Sequence, residues 1–158
     1  MKTDYIEFLG SQWYLEKHES YPLVTLHMVL NNGAITVLAF DKQGKYLRAP
    51  WCPYYFGLEC NDRGQIRQDH GELDPCFYEG CETLETDEQI NFIDLSWYLI
   101  KYIGDRGQEQ LGVTVRDKDG DKWSILCINT DGTYMREVGV PPRTGICVNS
   151  RGQIKQAK

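Results

Sequence analysis

The chain has 158 residues and a formal net charge of −6 at pH 7. That length is typical of one domain or of two very small ones, and it allows a real hydrophobic core. The acidic balance argues against a broad basic surface, so nucleic acid is not an expected partner. No apolar window approaches the length of a membrane span, so a membrane is not expected as a partner either.

The N-terminal residues read MKTDYIEFLG, and Asp4 and Glu7 interrupt the apolar run that a signal peptide would need. The sequence therefore predicts a cytoplasmic chain. In that compartment we expect the thiols of its six cysteines to be reduced, with no disulfide framework.

One unit of about 70 residues occurs twice along the chain. Residues 57–68 read GLECNDRGQIRQ, and 88 positions later residues 145–156 read GICVNSRGQIKQ. Nearer the start of each unit the spacing is 84, which pairs Trp13 with Trp97 and Lys17 with Lys101. This order predicts a duplication with repeat 1 at 1–68, an acidic, cysteine-containing linker at 69–88 and repeat 2 at 89–158.

Short runs rich in Val, Ile, Thr, Tyr and Leu follow one another between Asn-Gly and Asp-Gly turns. In repeat 1 the predicted strands are two short ones within 4–17, then 23–30, 34–40 and 45–48. In repeat 2 they are two short ones within 89–103, then 111–116, 123–128 and 133–136. Because the turn residues tolerate positive φ and close tight hairpins, the pattern indicates an antiparallel meander.

Residues 89–103 are apolar enough to form a helix, with Thr86 or Asp87 as its N-cap. The matching segment of repeat 1 carries Gly10 and Ser11 in its middle, where a helix would lose stability. We therefore expect two short strands with a kink in both copies, and keep the helix as the alternative for repeat 2.

The fold class that follows is all-β. Five or six short strands in each repeat suit an SH3-like barrel, so two tandem small SH3-like barrels are the first prediction. The alternative is one larger barrel or sandwich built from two pseudo-symmetric halves. The linker holds eight acidic residues and no Lys or Arg, so we expect it to be largely irregular and exposed.

Aromatic residues fall into two classes. Those that both repeats keep, such as Trp13 and Trp97, are interpreted as core. Residues 50–56 read PWCPYYF, whereas the aligned residues 138–144 read VGVPPRT. The aromatic residues found only in repeat 1 are the predicted binding residues Trp51, Tyr54, Tyr55 and Phe56. Rigid aromatic loops of this kind suit a peptide, a ligand or a protein partner. The alternative is that the rings pack against the linker or the other repeat.

One cluster has the residue types of a zinc site, namely Cys60, His70, Cys76 and Cys81. It lacks the close cysteine pairs typical of zinc sites, so no metal and no other cofactor is expected. His18 and His27 lie in no recognisable catalytic motif.

The functional hypothesis is therefore a non-enzymatic cytoplasmic interaction module that binds a protein partner through the aromatic loop of repeat 1. The alternative is a β-barrel that binds a small molecule, or an enzyme that depends on Cys and His.

Overall fold

The first sheet is formed by strands that pair in the order of the chain. The computed structural model describes residues 1–31, 33–47, 82–105, 107–129, 134–135 and 146. The strands of the first sheet are β1 (Ile6–Phe8), β2 (Ser11–Lys17), β3 (Leu23–Leu30), β4 (Gly33–Asp41) and β5 (Tyr46–Leu47). Each pairs antiparallel with the next, which is the expected meander.

The second sheet repeats this order and adds one strand at its edge. Its strands are β6 (Glu82–Glu85), β7 (Ile90–Phe92), β8 (Leu95–Ile103), β9 (Glu109–Arg116), β10 (Lys122–Asn129) and β11 (Tyr134–Met135). Strands β7 to β11 pair in chain order, and β6 pairs with β8. The part of the chain that the structure describes is thus all-β, without a helix, as predicted.

Two tight hairpin turns explain why residues 4–17 and 89–103 form strands. Leu9 and Gly10 have φ angles of 54° and 71°, and Ile93 and Asp94 have φ angles of 45° and 62°. Two consecutive positive φ angles are the geometry of the two-residue turns that suit the twist of antiparallel strands. The helix alternative for 89–103 was therefore wrong, and the kink is a reversal of the chain.

The hydrophobic core lies between the two sheets. Strand β2 alternates buried and partly exposed residues, with Trp13 and Leu15 fully buried. One buried cluster includes residues from both sheets, and the rings of Phe40 and Trp97 lie 5.1 Å apart between centroids. The prediction that Trp13 and Trp97 belong to the core is confirmed.

The two sheets make reciprocal contacts. Lys17 Nζ donates to the backbone oxygen of Asn91 (2.9 Å), and Lys101 Nζ donates to that of Glu7 (2.9 Å). The two lysine donors are 84 positions apart in sequence, and so are the two acceptor residues. Each sheet therefore contributes the same donor and the same acceptor position to the contact between them.

Equivalent contacts also recur inside each sheet. The indole nitrogen of Trp13 donates to the backbone oxygen of Phe8 (2.7 Å), and that of Trp97 donates to Phe92 (2.9 Å). A β-bulge interrupts both central strand pairs, at Val37 in the first sheet and at Ile125 in the second. Corresponding sequence positions thus have the same local structure.

The described strands do not confirm the expected SH3-like barrels. Neither sheet closes on itself within the ranges described, and both are open and antiparallel. The apolar faces are covered by the opposite sheet, so burial does not require closure of a barrel.

The acidic linker was expected to be largely irregular and exposed, and four of its residues form an exposed strand, while residues 69–81 lie outside the described ranges. Glu82–Glu85 form β6, whose residues are exposed and whose backbone pairs with β8. A strand at the edge of a sheet can keep its acidic side chains in water while its backbone is hydrogen-bonded. The predicted boundary at residue 68 lies outside the described residues and stays a prediction.

Candidate functional site

The outer face of the first sheet carries a group of polar side chains, which we call the His–Glu cluster: the ionisable residues Glu16, His18 and His27, and Thr25. Glu16 lies in β2 and His18 directly follows that strand, while Thr25 and His27 lie in β3. Because alternate residues of a strand share a face, each strand contributes two neighbouring side chains. Glu16 pairs directly with Thr25 in the strand register, which brings the two sets together.

Short distances join the members of the cluster. The hydroxyl oxygen of Thr25 lies 2.8 Å from Nε2 of His18 and 2.6 Å from Nε2 of His27. The carboxylate oxygen Oε1 of Glu16 lies 3.4 Å from Nε2 of His27 and 3.8 Å from Nε2 of His18. In both histidines, Nε2 is therefore the nitrogen that faces the Glu16 carboxylate and the Thr25 hydroxyl.

The β-bulge of the first sheet lies beside His27. The register of β3 and β4 shifts between Leu26 and His27, which leaves Val37 unpaired. Bulges turn the side chains next to them and are frequent beside functional sites. His27 Nδ1 lies 3.4 Å from the hydroxyl of Thr36 across this bulge.

Aromatic stacking fixes the plane of the His27 ring. Tyr14 faces His27 across β2 and β3, with ring centroids 4.9 Å apart and an interplanar angle of 17°. On its other side Tyr14 meets the ring of Tyr5 at 5.3 Å. The imidazole is therefore held against a rigid surface.

The three ionisable side chains differ in exposure. The side chain of His27 is only 10% exposed, whereas those of His18 and Glu16 are 34% and 36% exposed. Burial lowers the pKa of His27 from its usual value, although the Glu16 carboxylate opposes that change. His27 is accordingly a neutral imidazole at neutral pH, while solvent reaches the other two groups.

The second sheet has no such cluster at the equivalent positions. The register places Ile100 opposite Gly112 and Tyr98 opposite Thr114, where the first sheet has Glu16 opposite Thr25 and Tyr14 opposite His27. A Cβ atom on Gly112 would lie only 3.1 Å from the Ile100 side chain, which is itself buried. The site is thus filled by an apolar side chain.

Hydroxyl groups complete the filled site of the second sheet. Tyr102, which corresponds to His18, has its hydroxyl 2.6 Å from the hydroxyl of Ser124. Thr114 lies 3.0 Å from the same Ser124 oxygen. These groups do not ionise near neutral pH, so the two outer faces differ in chemistry although their backbones correspond.

A second feature is an open cavity of about 470 Å³ where the two sheets meet. Lys17 from the first sheet, the β7–β8 turn and the β9–β10 turn line it. Its charged lining residues are Lys17, Asp94, Arg116, Asp117 and Lys118. The guanidinium carbon of Arg116 lies 5.2 Å from the centroid of the Tyr98 ring.

The site residues predicted from sequence lie outside the residues that the structure describes. This applies to the aromatic loop residues Trp51, Tyr54, Tyr55 and Phe56 and to the cysteine–histidine group Cys60, His70, Cys76 and Cys81. Both predictions therefore stay predictions.

Sequence reasoning missed the His–Glu cluster, although a signal for it exists. Glu16 and His18 alternate on one predicted strand, and Thr25 and His27 alternate on the next. A hairpin between the two strands brings such pairs together when the register is right. Considering each histidine alone hid this pattern.

No helix long and apolar enough to cross a membrane occurs within the described ranges. Comparison with protein-family models, with curated proteins and with solved structures finds no match for this chain.

Proposed function

We propose that this protein is a non-enzymatic binding protein that recognises a protein partner with its first half, residues 1–68. The observation that carries the proposal is the chemical difference between the outer faces of the two sheets. At positions that correspond in strand register, the first sheet has Glu16 and His27 and the second has Ile100 and Thr114. At these corresponding positions only the first sheet has ionisable side chains.

We also propose that the two halves descend from a duplication. Sequence identities at spacings of 84 and 88 support it, as do the reciprocal bonds of Lys17 and Lys101. The shared core favours a sandwich of two pseudo-symmetric halves over two tandem SH3-like barrels. Both halves need that core, whereas a surface used for recognition can change in one half alone.

The aromatic loop is the proposed contact with the partner. Trp51, Tyr54, Tyr55 and Phe56 belong to the first half, and the aligned residues of the second half are Gly139, Pro142, Arg143 and Thr144. Tryptophan and tyrosine are enriched among the residues that dominate binding energy at protein interfaces. The loop and the His–Glu cluster are both features that the second half lacks.

The test replaces two rings and measures stability and binding separately. In the full chain, Trp51→Ala and Tyr55→Ala are expected to weaken capture of the partner from the native host by about 1–4 kcal/mol each. The melting temperature should stay unchanged. Arg143→Ala, at the position aligned with Tyr55, is the matched control and should leave capture unchanged. A melting temperature that falls by many degrees would show that these rings are core, and the loop assignment would fail.

The cavity supports a second candidate function, the binding of a small anionic molecule. Three cationic side chains line a volume large enough for such a ligand, against two carboxylates, so one positive charge remains in excess: Lys17, Arg116 and Lys118 against Asp94 and Asp117. Titration of the protein with inorganic phosphate, followed by NMR, should then shift the amide signals of the β7–β8 turn. Signals that stay in place at high phosphate would exclude this candidate.

A further inference from the structure

The donor set of the His–Glu cluster matches the ligands that zinc uses in proteins. One ligand atom from each of Glu16, His18 and His27 lies within 4.8 Å of the other two. Two imidazole nitrogens and a carboxylate oxygen form the set found at many zinc sites with an open position. Imidazole also favours zinc and its neighbours in the periodic table over magnesium and calcium.

Two of the three distances between ligand atoms are close to those around a bound ion, and the third is within 4.8 Å. Zinc bonds to imidazole nitrogen and carboxylate oxygen at about 2.0–2.2 Å, so tetrahedral ligand atoms lie about 3.3–3.5 Å apart. The Glu16 oxygen is 3.4 Å from the His27 nitrogen and 3.8 Å from the His18 nitrogen. Since Glu16 and His18 are both about one-third exposed, their side chains have room for the remaining adjustment.

The contacts of the Thr25 hydroxyl require a proton on Nε2 of at least one histidine when no ion is bound. The hydroxyl oxygen lies near Nε2 of both histidines and 3.3 Å from the backbone oxygen of Glu16, yet it has one proton to donate. At least one imidazole must therefore donate from Nε2. A cation would instead accept lone pairs from both nitrogens and from the carboxylate.

Binding of a cation requires the imidazole proton to reside on Nδ1. The Thr36 hydroxyl lies 3.4 Å from Nδ1 of His27, and its oxygen can accept a hydrogen bond from the protonated Nδ1. Ring nitrogens of metal-bound histidines usually have such a partner, which orients the ring. No proton is lost from the imidazole in this step, because it moves from Nε2 to Nδ1.

We infer that the His–Glu cluster is a binding site for a divalent transition-metal ion, best fitted to Zn²⁺, with Glu16, His18 and His27 as ligands. This inference rests on the proposal that the first half carries the binding surface. Three protein ligands leave a fourth position on the ion, and the exposure of Glu16 and His18 lets water or a group of the partner fill it. The corresponding positions of the second sheet, including Ile100, provide no equivalent set of metal ligands.

Calorimetric titration of the full-length protein with Zn²⁺ at neutral pH tests the site. We expect one equivalent to bind, and His18→Gln and His27→Gln each to weaken binding by about 100-fold or more, since loss of outer partners alone costs 10–100-fold. Thr36→Val should weaken it by about tenfold for the same reason. Mg²⁺ should show no binding in any variant.

Two controls separate this site from the cysteine–histidine group and from loss of the fold. A Cys76→Ser, Cys81→Ser double variant should keep the equivalent of Zn²⁺, and Co²⁺ bound to the protein should show no thiolate charge-transfer band. Tyr102→Gln, at the position corresponding to His18, should bind as the wild type does. If His27→Gln fails to fold, the more exposed His18→Gln decides the result.

Absence of binding, or binding that only the cysteine substitutions remove, would overturn the metal site. Capture of the protein partner in the presence of a chelator distinguishes this failure from failure of the proposed function. If capture persists without Zn²⁺ and is lost in Trp51→Ala, the proposed function stands alone.

Discussion

Trp13 and Trp97 illustrate how single residues hold each sheet to its hairpin and to the shared core. Both side chains are fully buried, and both indoles donate to the backbone oxygen of the residue that ends the preceding strand. Each residue therefore combines a large apolar area with a satisfied polar atom, as buried tryptophan usually requires.

Replacement of either tryptophan should be among the most damaging changes in the chain. We expect Trp97→Ala to lower the free energy of unfolding by about 3–5 kcal/mol, because a large cavity remains and the Phe92 oxygen loses its donor. Urea unfolding measures this change. Tyr21→Ala, at a ring that is 65% exposed, is the control and should alter stability by less than about 0.5 kcal/mol. Equal effects would contradict the assignment of Trp97 to the core.

Tyr98 makes the stability of the folded protein depend on pH in the alkaline range. Burial raises the pKa of Tyr98 above its usual value of 10.0, and Arg116 opposes the change. The unfolded chain releases the phenol proton above pH 10 while the folded chain retains it, so stability is full below pH 10 and falls as pH rises further.

The variant Tyr98→Phe should lack the part of the alkaline loss of stability that Tyr98 causes. Melting temperatures measured from neutral pH to above pH 10 should fall less steeply for Tyr98→Phe than for the wild type. Tyr21→Phe removes one exposed phenol and should follow the wild type. An alkaline decline that Tyr98→Phe leaves unchanged would show that this ring does not titrate differently in the folded state.

Among the elements, the β1–β2 and β7–β8 hairpins show what local sequence determines. Both use two residues with positive φ, although the second of these is Gly10 in one turn and Asp94 in the other. Glycine adopts this conformation without steric cost, and aspartate tolerates it better than most residues. The same turn is thus formed by two chemically different residues.

Substitutions at these two turn positions should change the free energy of unfolding differently. Gly10→Ala is expected to destabilise the protein by about 1 kcal/mol, because a Cβ atom there is strained by φ even though it meets no neighbour. Asp94→Gly should be neutral or stabilise by a few tenths of a kcal/mol, since it relieves that strain. Thermal unfolding of both variants checks the pair, and stabilisation by Gly10→Ala would contradict the turn geometry.

Strand positions were largely predictable from local pattern, whereas the site was not. The prediction of 23–30 agrees with β3, and that of 34–40 lies within β4, since apolar runs between turn residues mark strands directly. His18 and His27 lie nine positions apart and meet only through the register of β2 and β3. Register depends on pairing across the sheet, which a single-strand pattern does not contain.

At the scale of the whole molecule, the two sheets stabilise each other. Phe40 of the first sheet packs on Trp97 of the second, and Lys17 and Lys101 exchange hydrogen bonds in both directions. Packing of one sheet on the other could not be predicted from either repeat alone, because each repeat by itself also suits a closed barrel.

A shared core predicts that damage in one sheet spreads to the other. In Trp97→Ala, amide hydrogen exchange should accelerate in β3 and β4 of the first sheet as well as in β8 and β9, because the halves unfold cooperatively. Exchange that accelerates in the second sheet alone would show that the halves unfold separately.

We propose that two corresponding halves share one framework and that only the first carries the metal-binding His–Glu cluster. An NMR titration of the isotope-labelled, full-length protein with Zn²⁺ tests it most directly, because amide signals report both halves at once. We expect shifts confined to signals of β2, β3, the chain between them and the part of β4 around Thr36, all of which surround Glu16, His18 and His27. Signals of β8 and β9 should stay in place. Equal shifts in both sheets, or shifts confined to residues 60–81, would contradict it.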